Sequence, residues 1–268
     1  MENTINPKKV IDFLLTRNWE IGEEYGEYYK MIPAKELGFG EESRLMFPAN
    51  KKVVDYERHL ISMLGENGVA GYYNMNPKNL QLALRNNSTI LTLSFKSDFF
   101  EAKSIAILHF TNILQQLQNL IQQTVAWILK ENEATDEEKA QYVGMYIARC
   151  NLVKMDIDQL QFKMELPSEG EWTLTNEKKI PLISIADTFH NSLQKQWKIE
   201  NKSENESVEI PVQQMRLLFG IQDFIESEKL TYAHFSFFNT DWETEKEVAF
   251  GVKNEEEQGV TEEKEMAT

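Results

Sequence analysis

Large apolar residues recur in steps of three and four through residues 105–131, at Ile107, Phe110, Ile113/Leu114, Leu117, Leu120/Ile121, Thr124/Val125 and Ile128. That spacing is the signature of a helix that buries one stripe. At about 1.5 Å per residue the helix is expected to be roughly 40 Å long. Its other face carries Asn112, Gln115, Gln116, Asn119, Gln122 and Gln123, polar but uncharged. The stripe is too wide for a two-position coiled-coil seam, and strand-like patterns lie on both sides of it. The pattern therefore predicts a helix that backs a sheet and leaves its Gln/Asn face outward.

Periodicity gives the remaining elements more briefly. Asn6 and Pro7 make an N-cap and first-turn pair for a helix over 7–17 that turns Val10, Phe13 and Leu14 inward. Extended stretches follow from Trp19, over Glu27–Ile32 and over Arg44–Phe47, then a helix over 56–65 with Asp55 as its cap. The Gly/Asn/Pro-rich run Gly65–Asn79 reads as a boundary, and Leu80–Leu84 fits either strand or helix. Thr89–Phe95 alternates as a strand with one wet face. After the long helix, Thr135 or Asp136 caps a helix over 137–149. The alternation over 152–166 predicts Val153, Met155 and Ile157 buried, and 167–172 turns into a strand at 173–175. Helices over 182–197 and 211–226 and strands over 232–238 and 248–252 complete the chain.

Together these elements predict an α+β protein. Residues 1–66 form an α-β-β-β-α module. Residues 80–253 form a second domain, in which helix 105–131 backs a mostly antiparallel sheet from 89–95, 152–175 and 230–252. Residues 254–268 form an acidic tail expected to be disordered.

Charge and composition narrow the function classes. The formal net charge is −15, and residues 201–268 alone hold six Lys/Arg against sixteen Asp/Glu. That end of the chain is expected to repel nucleic acid. The N-terminus has no uninterrupted apolar core or small-residue cleavage site, so no signal peptide is expected. No stretch reaches the length of uncharged apolar residues that a membrane span needs. One cysteine, Cys150, forbids an intramolecular disulfide and suits a reducing cytoplasm.

Few residues suggest chemistry. His59, His109, His190 and His234 lie far apart with no Cys partner, so no metal site and no cofactor are expected. Gly38-Phe39-Gly40 lacks the third glycine of a dinucleotide fingerprint. Asp156 and Asp158 fall on one face of a strand, as carboxylates sharing a divalent metal must. With Lys163 they are the catalytic alternative, that of a metal-dependent nuclease or a toxin-like protein of a phage-defence or toxin–antitoxin locus. Lys163 is nevertheless so close in sequence that pairing the two parts needs a very tight turn at Gln159. Tyr28, Tyr29, Lys30 and Arg44 are the residues that could stack and hold a nucleobase. For protein contact the candidates are Gln115, Gln116, Asn119, Gln122 and Gln123.

The order helix, strand, strand, strand, helix over 7–65 resembles the small double-stranded-RNA-binding-like fold of the HicA mRNA interferase toxins. Those toxins use a strand histidine, whereas the corresponding stretch here, GEYYKM, has Tyr28 and Tyr29 and no His. The resemblance implies the fold without that chemistry. Asn18-Trp19, Phe47-Pro48, Asp55-Tyr56 and Ser104-Ile105-Ala106-Ile107 also resemble short motifs of a group of bacterial proteins of roughly this size, with which no activity comes. The leading expectation is a bacterial, cytoplasmic, non-enzymatic regulatory or accessory subunit. Its partner would be another protein, encoded by a neighbouring gene.

Overall fold

The computed structural model describes residues 4–39, 43–97, 106–156, 160–201, 214–242 and 244–251, with side chains of the long helix described from His109 onward. The N-terminal unit begins with α1 (Pro7–Leu15), started by Asn6, whose side chain accepts the Lys8 N–H. Strands β1 (Glu20–Tyr25), β2 (Tyr28–Ile32) and β3 (Leu45–Pro48) form an antiparallel sheet with β2 in the middle. Helix α2 (Tyr56–Met63) follows, so the order α-β-β-β-α is present. Asp55 is not the cap expected of it. It sits in a left-handed conformation and its side chain accepts no first-turn N–H.

The Gly-rich run after α2 is packed structure rather than a linker. It contains α3 (Val69–Tyr72), and a Cβ at Gly68 or Gly71 would collide with the carbonyl oxygens of Met63 or Glu66. Helix α4 (Pro77–Asn86) settles the ambiguity at 80–84 in favour of helix. Its Leu80, Ala83 and Leu84 join Val10, Leu14, Trp19, Met31, Phe47, Leu60 and Leu64 in one apolar core. Ile90 and Phe238 of the large sheet close the same core. The N-terminal core therefore does not end near residue 66; it continues through α4 onto the sheet.

That sheet has the order β10-β9-β4-β6-β5 and is antiparallel throughout. Its strands are β4 (Ser88–Ser97), β5 (Asn151–Asp156), β6 (Gln161–Pro167), β9 (Leu230–Phe238) and β10 (Lys246–Gly251). Alternation sends Leu91, Leu93 and Phe95 of β4, Phe162 and Met164 of β6, and Phe235 and Phe237 of β9 to one face. Against them lies α5 (Ala106–Glu131), with Phe110, Ile113, Leu117, Leu120, Ile121, Val125 and Ile128 buried as its stripe requires. Phe162 is the hinge of this contact: it stacks on Phe95 at 5.6 Å and meets Phe110 edge-on at 4.7 Å between ring centroids. Helices α6 (Asp136–Arg149), α7 (Ile183–Glu200) and α8 (Met215–Ser227) complete the layer. The side chain of Ile107, expected in the stripe, lies outside the described residues.

Two expectations fail in the sheet. Strand β5 is an edge, so Val153 and Met155, expected buried, are 38% and 47% exposed. Residues 171–173 do not extend the sheet; β7 (Glu171–Thr173) pairs with β8 (Lys179–Pro181) in a separate ribbon. Ile157, Asp158 and the 254–268 tail lie outside the described residues. Among the described residues no helix is long and apolar enough to cross a membrane.

Candidate functional site

The Gln/Asn face of α5 is divided by its neighbours. Gln116 faces the C-terminal end of α8, where its Nε2 donates to Glu228 Oε1 at 2.6 Å and to Ser227 Oγ at 3.2 Å. Gln123, two turns on, faces Gly220 of α8, where a Cβ would stand 2.8 Å from Gln123 Oε1 and 3.2 Å from Leu120 Cδ2. The glycine lets the two helices approach and holds the Gln123 carbonyl on the α8 side. Neither glutamine belongs to a free outer face. Gln115 and Asn119 remain exposed, and Gln122 is half-buried.

A cleft of about 450 Å³ lies between α5, α6 and α8. Its walls include Ala126, Trp127, Val143 and Leu217; Gln122 and Gln123 lie on one side, and Lys130 and Arg216 also line it. Two polar atoms in the wall, Trp127 Nε1 and Gln123 Oε1, are shielded from solvent with no hydrogen-bond partner. An unmet buried donor or acceptor costs about 1–3 kcal/mol. The two exposed cations line the cleft of a chain whose net charge is −15. Sequence reasoning missed Trp127, Lys130 and Arg216. The available signal was Gly220, a lone glycine inside a helical pattern, which marks close packing beside it.

The second polar region is the sheet face turned away from α5. Thr92 and Ser94 of β4, Gln161 and Lys163 of β6, His234 and Ser236 of β9, and Lys154 and Asp156 of β5 share it by strand register. Lys163 stands directly opposite Lys154 on one side and Thr92 on the other. Strands β5 and β6 do pair antiparallel, and in that pairing Asp156 and Lys163 go to different partners. Asp156 Oδ2 accepts from Lys154 Nζ at 2.6 Å, while Lys163 Nζ donates to Asn79 Oδ1 of α4 at 2.9 Å. Burial first, then Lys154 and Lys78 against the opposing pull of Glu245, holds the Lys163 ammonium below the ordinary lysine range. Asp158 lies outside the described residues. Among the described residues no group of three His, Cys, Asp or Glu could hold a metal.

The tyrosine surface also divides. In β2, Met31 and Tyr29 turn to the N-terminal core, while Tyr28 and Lys30 take the other face. There Tyr28 pairs with the exposed Tyr25, and Lys30 Nζ lies 5.1 Å from the Tyr25 ring centroid and 3.8 Å from Glu23 Oε2. Arg44 donates to the Ser43 carbonyl. Tyr28 and Tyr29 thus do not make one stacking platform. No protein-family model, no curated protein and no solved structure matches the chain.

Proposed function

We propose that this protein works by binding another protein, as a regulatory or accessory subunit, and that the α5–α6–α8 cleft is the contact. The partner it suits is an acidic segment with apolar side chains. The apolar groups would enter between Trp127, Val143 and Leu217, and carboxylates would face Lys130 and Arg216. One observation carries this reading: an apolar wall that includes Trp127, Val143 and Leu217 opens beside two exposed cations, Lys130 and Arg216, on a chain whose net charge is −15. Interfaces place aromatic and arginine anchors at such positions because both gain most from desolvated contact. Gln122 and the exposed Gln115 and Asn119 would then form a polar rim along α5.

A photo-cross-linking side chain at position 122, activated in cells and followed by mass spectrometry of the adduct, tests this. The expected result is one dominant adduct whose attached peptide is acidic and contains large apolar residues. Adducts spread over many proteins, or an attached peptide rich in Lys/Arg, would overturn it.

A further inference from the structure

A cleft of about 440 Å³ lies at the end of the sheet where β4 and β5 begin and β6 ends. Its charged and amide lining is Asn86, Arg149, Asn151 and Glu165. Two opposite charges share this cleft without meeting each other. Glu165 is 7% exposed, and among the described residues its carboxylate accepts only the Asn86 amide, Oε1 from Nδ2. A buried carboxylate calls for a counter-charge, and a neutral amide supplies none. The Arg149 guanidinium and the Asn151 amide, both on exposed residues, make no hydrogen bond or ion pair among the described residues. Asn86 is the last residue of α4 and Arg149 the last of α6, so both helices end at the cleft. The partial negative charge of a helix C-terminus favours a cation beside it.

We propose that this cleft binds a small zwitterion, a free α-amino acid with a polar side chain. Its ammonium group sits against Glu165 and the C-terminal ends of α4 and α6, and its carboxylate meets the Arg149 guanidinium. The ammonium gives Glu165 the counter-charge that Asn86 cannot, and the planar guanidinium fork presents paired N–H donors to a carboxylate. A simple anion would be opposed by Glu165 and a simple cation by Arg149, whereas a zwitterion satisfies both. The volume falls within the roughly 300–1,000 Å³ of small-molecule sites. It leaves room beyond the amino-acid backbone, where the Asn151 amide meets a polar side chain. The cleft shares no lining residue with the α5–α6–α8 contact, so the two readings stand or fall separately.

Isothermal titration calorimetry of the full chain, with L-glutamine and L-asparagine as separate probes, tests this. Saturable one-site binding of at least one of them is expected. Removing either charge of the tighter-binding amino acid, as its N-acetyl or its C-terminal amide derivative, should weaken binding at least tenfold. L-leucine, with the same two charges and an apolar side chain, should bind several-fold more weakly. Glu165→Gln, which keeps an acceptor for Asn86, and Arg149→Ala should each weaken binding at least tenfold. Arg149→Ala, at an exposed position, stands in if Glu165→Gln fails to fold. No saturable heat with either amino acid, undiminished binding of both charge-deleted derivatives, or full binding by Arg149→Ala would overturn the proposal. L-leucine bound as tightly as the polar amino acids would overturn the preference for a polar side chain.

Discussion

Replacing Gln116 by Ala separates a glutamine used inside the protein from one left for a partner. Gln116 Nε2 is 2.6 Å from Glu228 Oε1, and that carboxyl side chain is 6% exposed. A hydrogen bond to a charged group contributes about 1.5–3 kcal/mol, and a buried acceptor stripped of its donor costs about 1–3 kcal/mol, two views of one loss that do not add. Alanine returns a few tenths of a kcal/mol in helix propensity. The net expectation for Gln116→Ala is about 1–2.5 kcal/mol of destabilisation. His109 Nδ1, 3.7 Å from Glu228 Oε2, is too distant to replace the lost donor without movement. Gln115→Ala, one residue away on the exposed face, should change stability by less than about 0.5 kcal/mol. Urea unfolding followed by circular dichroism at 222 nm measures both. Equal midpoints for the two variants would refute the division of this face between α8 and solvent.

A helix cap and two buried groups give three further outcomes. Helix α6 begins with a reciprocal cap, in which Thr135 Oγ1 accepts the Glu138 N–H at 3.2 Å and Glu138 Oε2 accepts the Thr135 N–H at 2.8 Å. Thr135→Ala should cost about 1 kcal/mol in the same urea assay; no loss would show that the cap is dispensable. His190 is buried edge-on against Phe237, and burial lowers its pKa from the ordinary 6.5. The unfolded chain then takes up a proton near pH 6.5 that the folded chain refuses, so this group makes stability fall as pH drops through that region and adds nothing above it. His190→Gln should flatten the stability difference between pH 5.5 and 7.5; an unchanged slope would refute the assignment. Burial pushes the Cys150 thiol up to about 12, so at pH 8 only about one molecule in ten thousand carries the thiolate. Labelling by a disulfide reagent should be slow in the native protein and fast in urea, and rapid native labelling would contradict this.

The fold was legible where one period dominated. The α5 stripe, the order of the N-terminal elements and the antiparallel character of the sheet all follow from spacing of three to four or of two. Partner geometry was not legible. A half-buried β5 and an exposed edge β5 have the same alternation, and only the strand order tells them apart, which is why Val153 and Met155 were misplaced. The Gln/Asn face of α5 looked uniform because nothing in the sequence reveals that α8 returns along Gln116 and Gln123. Tyr28 and Tyr29 were grouped by adjacency, although neighbours on a strand point to opposite faces. Trp127 and Arg216 are 89 positions apart and meet only through tertiary packing, so Gly220 is the one local sign of the cleft, and it marks the packing without naming the lining.

The most direct test of the proposed function is affinity for the partner identified by cross-linking at position 122, compared between the wild-type chain and the double charge reversal Lys130→Glu/Arg216→Glu. Both lysine and arginine are exposed, so the reversal should leave folding intact. An acidic segment seated between Trp127, Val143 and Leu217 should bind the reversed protein at least tenfold more weakly, with the largest difference at low salt. Equal affinity for the two proteins, with no dependence on salt, would contradict the cleft as the contact.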